Sequence, residues 1–124
     1  MNVVDSSCWL EYFSGSKTGE QIAPILENVE KLVVPSIWIY EVIKKLLVEV
    51  DEDRAIFAAA HMKQGDVVEL DSDLAMYAAK VGKEFRLATM AERIIYATAK
   101  KYNARLYTQD KHFRELDNVE YFEK

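Results

Sequence analysis

The chain has 124 residues and a formal net charge of −5; half of its residues are hydrophobic and 30% are charged. This length fits one domain of ordinary size with enough apolar residues for a core, so we expect a single domain over residues 1–124. The negative charge argues against general binding to a phosphate backbone, the apolar runs are too short to cross a bilayer, and the single cysteine, Cys8, excludes an internal disulfide.

Strand and helix signals alternate along the chain, with few glycines or prolines between them. Short apolar runs indicate strands, and apolar residues three or four apart indicate helices. The alternation predicts an α/β fold, a three-layer sandwich with a central parallel sheet of four to five strands. The predicted strands are 2–5, 31–34, 67–70, 105–107 and 119–122, and the predicted helices are 6–13, 20–28, 35–50, 51–64, 71–85 and 89–102, with a helical turn at 110–114.

Two of these helices carry predictions about burial. The helix over 35–50 is apolar nearly all the way round, so we expect it to be largely buried. In the helix over 51–64, apolar spacing places Ile56, Phe57 and Ala60 on the inward face, together with Met62.

Two aspartates follow predicted strands, at the sheet edge where parallel α/β proteins form their sites. Asp5 follows the first strand and Asp110 follows the fourth. Either residue could instead be a helix cap, although Ser6 and Ser7 could cap the first helix in place of Asp5.

Two glutamates lie on predicted helices. Glu41 lies in an apolar helix, where a buried carboxylate needs a cation or several donors, although an ion pair with Lys45 is the alternative. Glu92 is explained equally well as the third helical residue of a capping box that begins at Thr89. If these glutamates and the two aspartates converge, their oxygen ligands suit Mg²⁺, or Mn²⁺ as a substitute.

The histidines do not indicate a zinc site. His61 stands alone on a helix, and His112 has no second histidine at ligand spacing, so we interpret His112 as an exposed residue or a neighbour of phosphate. Residues 92–114 carry six basic and two acidic side chains within an otherwise acidic protein. This basic segment is either a solvated surface or a phosphate-binding site, for which Arg93, Lys111 and His112 are the candidates.

Four segments of the chain, in this order, resemble the PIN-domain family, and the VapC toxins of toxin–antitoxin modules most of all. The resemblance covers essentially the whole chain. The segments are VVDSSCWLEYF at 3–13, PSIWIYEV at 35–42, AERIIYATA at 91–99 and YTQDKHF at 107–113.

The resemblance implies a Mg²⁺-dependent endoribonuclease that forms a homodimer and is inhibited by a VapB-type antitoxin. The single cysteine suits a cytoplasmic location. The family's supporting hydroxyl falls on Thr108, and Ser6 lies beside the first acidic position. The chain departs from the family at its third acidic position, where Glu92 stands in place of the usual aspartate, and Arg93 follows where a small residue is common. The four acidic positions fall on Asp5, Glu41, Glu92 and Asp110.

Two alternatives remain at the level of sequence. One is a PIN-fold module that binds RNA or protein with weakened or absent nuclease activity, which Glu92 and the net acidity favour. The other is a phosphotransfer enzyme with Asp5 as nucleophile. Haloacid-dehalogenase-like phosphatases have a second aspartate two residues after the first, and here that residue is Ser7.

Overall fold

The computed structural model describes residues 1–124 and contains the predicted alternation of strands and helices. The strands are β1 (Asn2–Val4), β2 (Leu32–Pro35), β3 (Asp66–Val68), β4 (Arg105–Thr108) and β5 (Val119–Tyr121). The helices are α1 (Ser6–Ser14), α2 (Lys17–Glu27), α3 (Ser36–Glu49), α4 (Glu52–Met62), α5 (Ser72–Glu84) and α6 (Met90–Lys101), with 3₁₀ turns at Val29–Lys31 and Lys111–Phe113.

The five strands form one parallel sheet in the order β3-β2-β1-β4-β5, flanked by the six helices. This confirms the predicted three-layer α/β fold. From β1 the chain adds β2 and then β3 on one side, and it then crosses to the other side of β1 to add β4 and β5. Parallel sheets of this type leave a crevice where the strand order reverses, here between the carboxyl ends of β1 and β4.

The core lies on both faces of the central strands, as their continuous apolar sequences predict. Val3, Val4 and all four residues of β2 are buried. No helix in the structure combines the length and the hydrophobicity needed to cross a membrane.

Helix α2 begins three residues earlier than predicted, because Ser16 caps it by accepting a hydrogen bond from the Gly19 amide at 3.0 Å. Gly19 packs against the end of α1. A Cβ at this position would lie 2.3 Å from the carbonyl oxygen of Glu11, so only glycine allows the two helices to approach so closely.

The predicted burial of α3 is wrong. Only Trp38, Val42 and Leu46 are buried, at spacings of four residues, whereas Tyr40 and Val48 are exposed. The helix is therefore amphipathic in its packing although its sequence is apolar on nearly every side.

The predicted inward face of α4 is also wrong, except at Met62. Ile56 and Phe57 are 60% and 66% exposed, and Ala60 is exposed as well. The buried residues are Ala55, Ala58 and Met62. Helices α3 and α4 pack against each other, and two of the three buried residues of α4 are small alanines.

Candidate metal centre

The structure brings the four predicted acidic residues to one cleft of about 230 Å³ at the carboxyl edge of the sheet. Asp5 and Asp110 enter it from the ends of β1 and β4, Glu41 from α3 and Glu92 from the first turn of α6. The other residues that line the cleft are Ser6, Trp38, Thr89, Ala91, Ile95 and Phe113.

Asp5 is both the cap of α1 and part of the cleft. Its Oδ1 accepts a hydrogen bond from the Ser6 amide at 2.7 Å, so Asp5 rather than a serine caps the helix. Its Oδ2 accepts a hydrogen bond from the Thr108 hydroxyl at 2.6 Å. Burial raises the pKa of Asp5 to about 6, against these hydrogen bonds, and the nearby charge of Asp110 adds to the rise.

Thr108 connects the two aspartates. Its side chain is fully buried, and its Oγ1 donates to Asp5 while it accepts a hydrogen bond from the Asp110 amide at 2.9 Å. One hydroxyl therefore fixes the Asp5 carboxylate and the start of the segment that carries Asp110.

Glu92 uses its two carboxylate oxygens differently. Oε1 completes the predicted capping box, accepting hydrogen bonds from the amides of Thr89 at 3.3 Å and Ala88 at 3.2 Å. Oε2 contacts Nδ1 of His112. Burial raises the pKa of Glu92, but hydrogen bonds from Asp110, His112 and Thr89 outweigh burial and hold the pKa below its ordinary value.

Asp110 is held by its own turn and lies beside Glu92. Its Oδ1 accepts a hydrogen bond from the His112 amide at 2.9 Å. Burial and the neighbouring Glu92 carboxylate raise the pKa of Asp110. Of the two adjacent carboxyls, Asp110 therefore holds a proton more readily and Glu92 keeps its charge.

Glu41 is less buried than the sequence predicted, with 38% of its side chain exposed. The predicted ion pair with Lys45 is wrong, because Glu41 lies 3.5 Å from Lys44 and Lys45 pairs with Glu49. Trp38, one turn earlier on the same face, also lines the cleft, and its buried Nε1 has no hydrogen-bond partner.

Comparison with known proteins identifies the family. The PIN-domain family model matches residues 3–119 of the chain. The chain belongs to the PIN-domain family. A search of curated protein sequences found no significant match.

Solved structures that resemble this PIN domain include a toxin–antitoxin complex and a toxin. A toxin–antitoxin complex from Klebsiella pneumoniae has a TM-score of 0.80 at 22% identity, covering 97% of this chain and 96% of the other. The sarcin-ricin-loop-cleaving toxin VapC20 of Mycobacterium tuberculosis has a TM-score of 0.77 at 18% identity, with 96% and 97% covered. VapBC2 from Rickettsia felis, bound to a promoter DNA fragment, has a TM-score of 0.75 at 12% identity, with 98% of both chains covered. At these identities the likeness concerns the fold.

The donor atoms of this PIN domain fit a divalent ion, with one unexpected member. Glu92, Asp110 and His112 each offer an atom, and these atoms lie within 4.8 Å of one another. Asp5 and Glu41 line the same cleft but belong to no such group. His112 carries no metal-site signal in the sequence, where it is interpreted only as an exposed side chain or a neighbour of phosphate two residues after Asp110.

Most basic residues of the segment 92–114 have a partner of their own. Arg93 donates through Nε to the carbonyl of Leu87 at 2.8 Å and forms no ion pair with Glu92. Arg105 pairs with Glu120. Three others are in cation–π contact: Lys100 over Phe85 and Tyr96, Lys101 over Tyr102, and Arg114 over Tyr121. Lys111 is exposed and forms no ion pair.

Proposed function

We propose that the protein is a divalent-metal-dependent endoribonuclease and the toxin of a VapBC-type toxin–antitoxin module. The observation that carries this proposal is that Asp5, Glu41, Glu92 and Asp110 all line one cleft of a PIN domain. Two of the similar structures, a toxin–antitoxin complex and a toxin that cleaves the sarcin-ricin loop, support the choice of RNA as substrate.

The four carboxylates, together with the nearby imidazole, would hold Mg²⁺ or Mn²⁺ in this cleft. Such an ion supplies Lewis-acid chemistry: it stabilises charge on a phosphodiester and lowers the pKa of water. The fit is supported by Asp5, a carboxylate buried to 7% exposure whose anionic form needs a compensating cation.

The residues themselves would do three things. Thr108 and the Ser6 amide hold the Asp5 carboxylate in one orientation, through its two oxygens. The capping box holds Glu92 by one oxygen and leaves the other facing the cluster. A carboxylate of the cluster would take a proton from the attacking water, whose oxygen then displaces one ester oxygen from phosphorus.

The proposal includes partners and location. We propose that a VapB-type antitoxin inhibits the protein by covering the cleft, where a basic residue of the partner would meet the carboxylates. We further propose a homodimer that acts in the cytoplasm. Single-stranded or loop RNA would enter with Lys111 beside the phosphate, since Arg93 is engaged with Leu87.

The test is RNA cleavage in Mg²⁺ by Asp5→Asn, with Asp71→Asn as the matched control. Asp71 also caps a helix, accepting a hydrogen bond from the Leu74 amide at 2.8 Å, but lies outside the cleft. We expect Asp5→Asn to lose at least about a hundredfold in cleavage rate and Asp71→Asn to lose none. Equal cleavage by Asp5→Asn and the wild type would contradict the proposal.

A second candidate is a PIN-fold module that binds RNA or protein and cleaves weakly or not at all. The observation that favours it is Glu92, whose carboxylate is engaged by the capping box and by His112. This candidate predicts that the wild type binds RNA without cleaving it at any Mg²⁺ or Mn²⁺ concentration. It also predicts that Glu92→Asp, which restores the residue usual in the family, gains activity.

A further inference from the structure

The contact between the His112 ring and the acidic cluster was not predicted from the sequence. His112 lies in the 3₁₀ turn that follows Asp110, and its amide donates to the Asp110 carboxylate at 2.9 Å. This turn directs the imidazole toward the cluster: Nδ1 contacts Oε2 of Glu92 and lies 3.5 Å from Oδ1 of Asp110.

The separations of these donor atoms come close to those of ligands on one ion. Metal–ligand distances of about 2.0–2.2 Å place two ligands of an octahedral ion roughly 3 Å apart when adjacent and about 4.2 Å apart when opposite. The donor atoms of Glu92, Asp110 and His112 all lie within 4.8 Å of one another. A small movement of these side chains would therefore bring all three onto a single ion.

We propose that Nδ1 of His112 is a direct ligand of the metal in this cleft, so that the centre is a mixed nitrogen and oxygen site. The inference rests on the proposed metal-dependent function and sharpens it. Imidazole is a ligand of transition-metal ions, whereas Mg²⁺ takes oxygen ligands and keeps much of its water. We therefore expect the affinity of this centre for a divalent transition metal, relative to Mg²⁺, to be higher than that of a site made of carboxylates alone.

The two carboxylates beside His112 are already positioned for such a site. The capping box holds Oε1 of Glu92 against the start of α6, so Oε2 is the oxygen left for the ion. Asp110 has one oxygen on its own turn, at the His112 amide. Asp5 and Glu41, farther from the group, complete the negative lining of the cleft.

The test is Mn²⁺ binding to untagged protein without RNA, read by electron paramagnetic resonance. Pulsed measurements on bound Mn²⁺ detect the magnetic nitrogen of a coordinated imidazole. The chain has only one other histidine, His61, and that residue lies on α4 among the rings of Trp9, Tyr12 and Phe13. We expect nitrogen coupling in the wild type and none in His112→Gln.

Affinity provides the second measurement. We expect His112→Gln to lose about tenfold in Mn²⁺ affinity and much less in Mg²⁺ affinity, measured by competition. Lys111→Gln is the control, since it alters the same turn but removes a positive charge and so should not weaken cation binding. It should also keep the nitrogen coupling.

Three results would overturn the inference: no nitrogen coupling in the wild type, coupling that persists in His112→Gln, or unchanged Mn²⁺ affinity in that variant. Tighter Mn²⁺ binding by His112→Gln would also overturn it, because His112 would then compete with the metal for Glu92. If any of these accompanies Mg²⁺-dependent RNA cleavage, the proposed function stands and only the ligand assignment fails. Nitrogen coupling in a protein that never cleaves RNA would support the ligand assignment and contradict the proposed function.

Discussion

Replacing Asp5 by asparagine should stabilise the metal-free protein while abolishing its activity. Asp5 is 7% exposed, and burial raises its pKa from 3.8 to about 6. The folded protein therefore binds more protons than the unfolded chain between these two pH values. Stability from this group is lost as the pH rises through that window, so at pH 7 the ionised carboxylate is a net cost.

The magnitude follows from the shift. Two pKa units at 1.36 kcal/mol each give a cost of about 3 kcal/mol at pH 7. Asparagine removes that charge, but its single side-chain oxygen can accept a hydrogen bond from only one of the two donors to Asp5, the Ser6 amide and the Thr108 hydroxyl. The lost hydrogen bond costs about 1 kcal/mol. The net gain is about 2 kcal/mol, or roughly 8 °C in Tm for a domain of this size.

Urea unfolding in EDTA at pH 7 and pH 4 measures this gain. The wild type and Asp5→Asn share every other titrating group, so the difference between them isolates Asp5. The advantage of the variant should disappear near pH 4, where Asp5 is mostly protonated in the folded protein. Asp71→Asn, at an exposed helix cap, should match the wild type at both pH values. An Asp5→Asn variant that is no more stable than the wild type at pH 7 would refute the reasoning.

Three further predictions concern the supports of the cleft and of the fold. Thr108→Val should lose about 2 kcal/mol in urea unfolding and most of the RNA cleavage, because the Asp5 carboxylate and the Asp110 amide each lose a buried partner; wild-type stability would contradict this. Gly19→Ala should cost about 2–3 kcal/mol, since its Cβ meets backbone at 2.3 Å. Gly82→Ala should cost less, because the nearest atoms there belong to the Arg93 side chain rather than to backbone, and an equal loss would show that this distinction is wrong.

The fold could be predicted because its signals are local. Buried parallel strands are short apolar runs, and caps such as Thr89 mark where helices begin. The position of the site followed from the rule that parallel sheets bind ligands at their carboxyl edge. That rule identified Asp5 and Asp110 as neighbours. The structure bears out both positions at one cleft, although their roles remain proposals.

The burial of α3 and α4 could not be predicted, because nearly continuous apolar sequence has no single apolar stripe. Residues 55–60 of α4 are all apolar, so periodicity could not choose between the face with Phe57 and the face with Ala55 and Ala58. In the structure the face with the alanines is the buried one, and alanines allow close contact between helices.

The contacts of Glu92 and His112 could not be predicted from local sequence, for a different reason. The sequence offered the capping box and the metal site as competing roles for Glu92, whereas in the structure Oε1 accepts from the capping-box amides and Oε2 contacts His112. The direction of His112 depends on the turn after β4, which brings together residues 20 positions apart in the chain.

The central claim is that the carboxylates of the cleft act through a divalent metal to cleave RNA. Its most direct test is RNA cleavage by the purified wild type and Asp110→Asn, titrated with Mg²⁺ or Mn²⁺ from an EDTA baseline. We predict no cleavage in EDTA, saturable cleavage by the wild type as metal is added, and none by Asp110→Asn at any metal concentration. Cleavage that persists in EDTA, or that is equal in the two proteins, would contradict the claim.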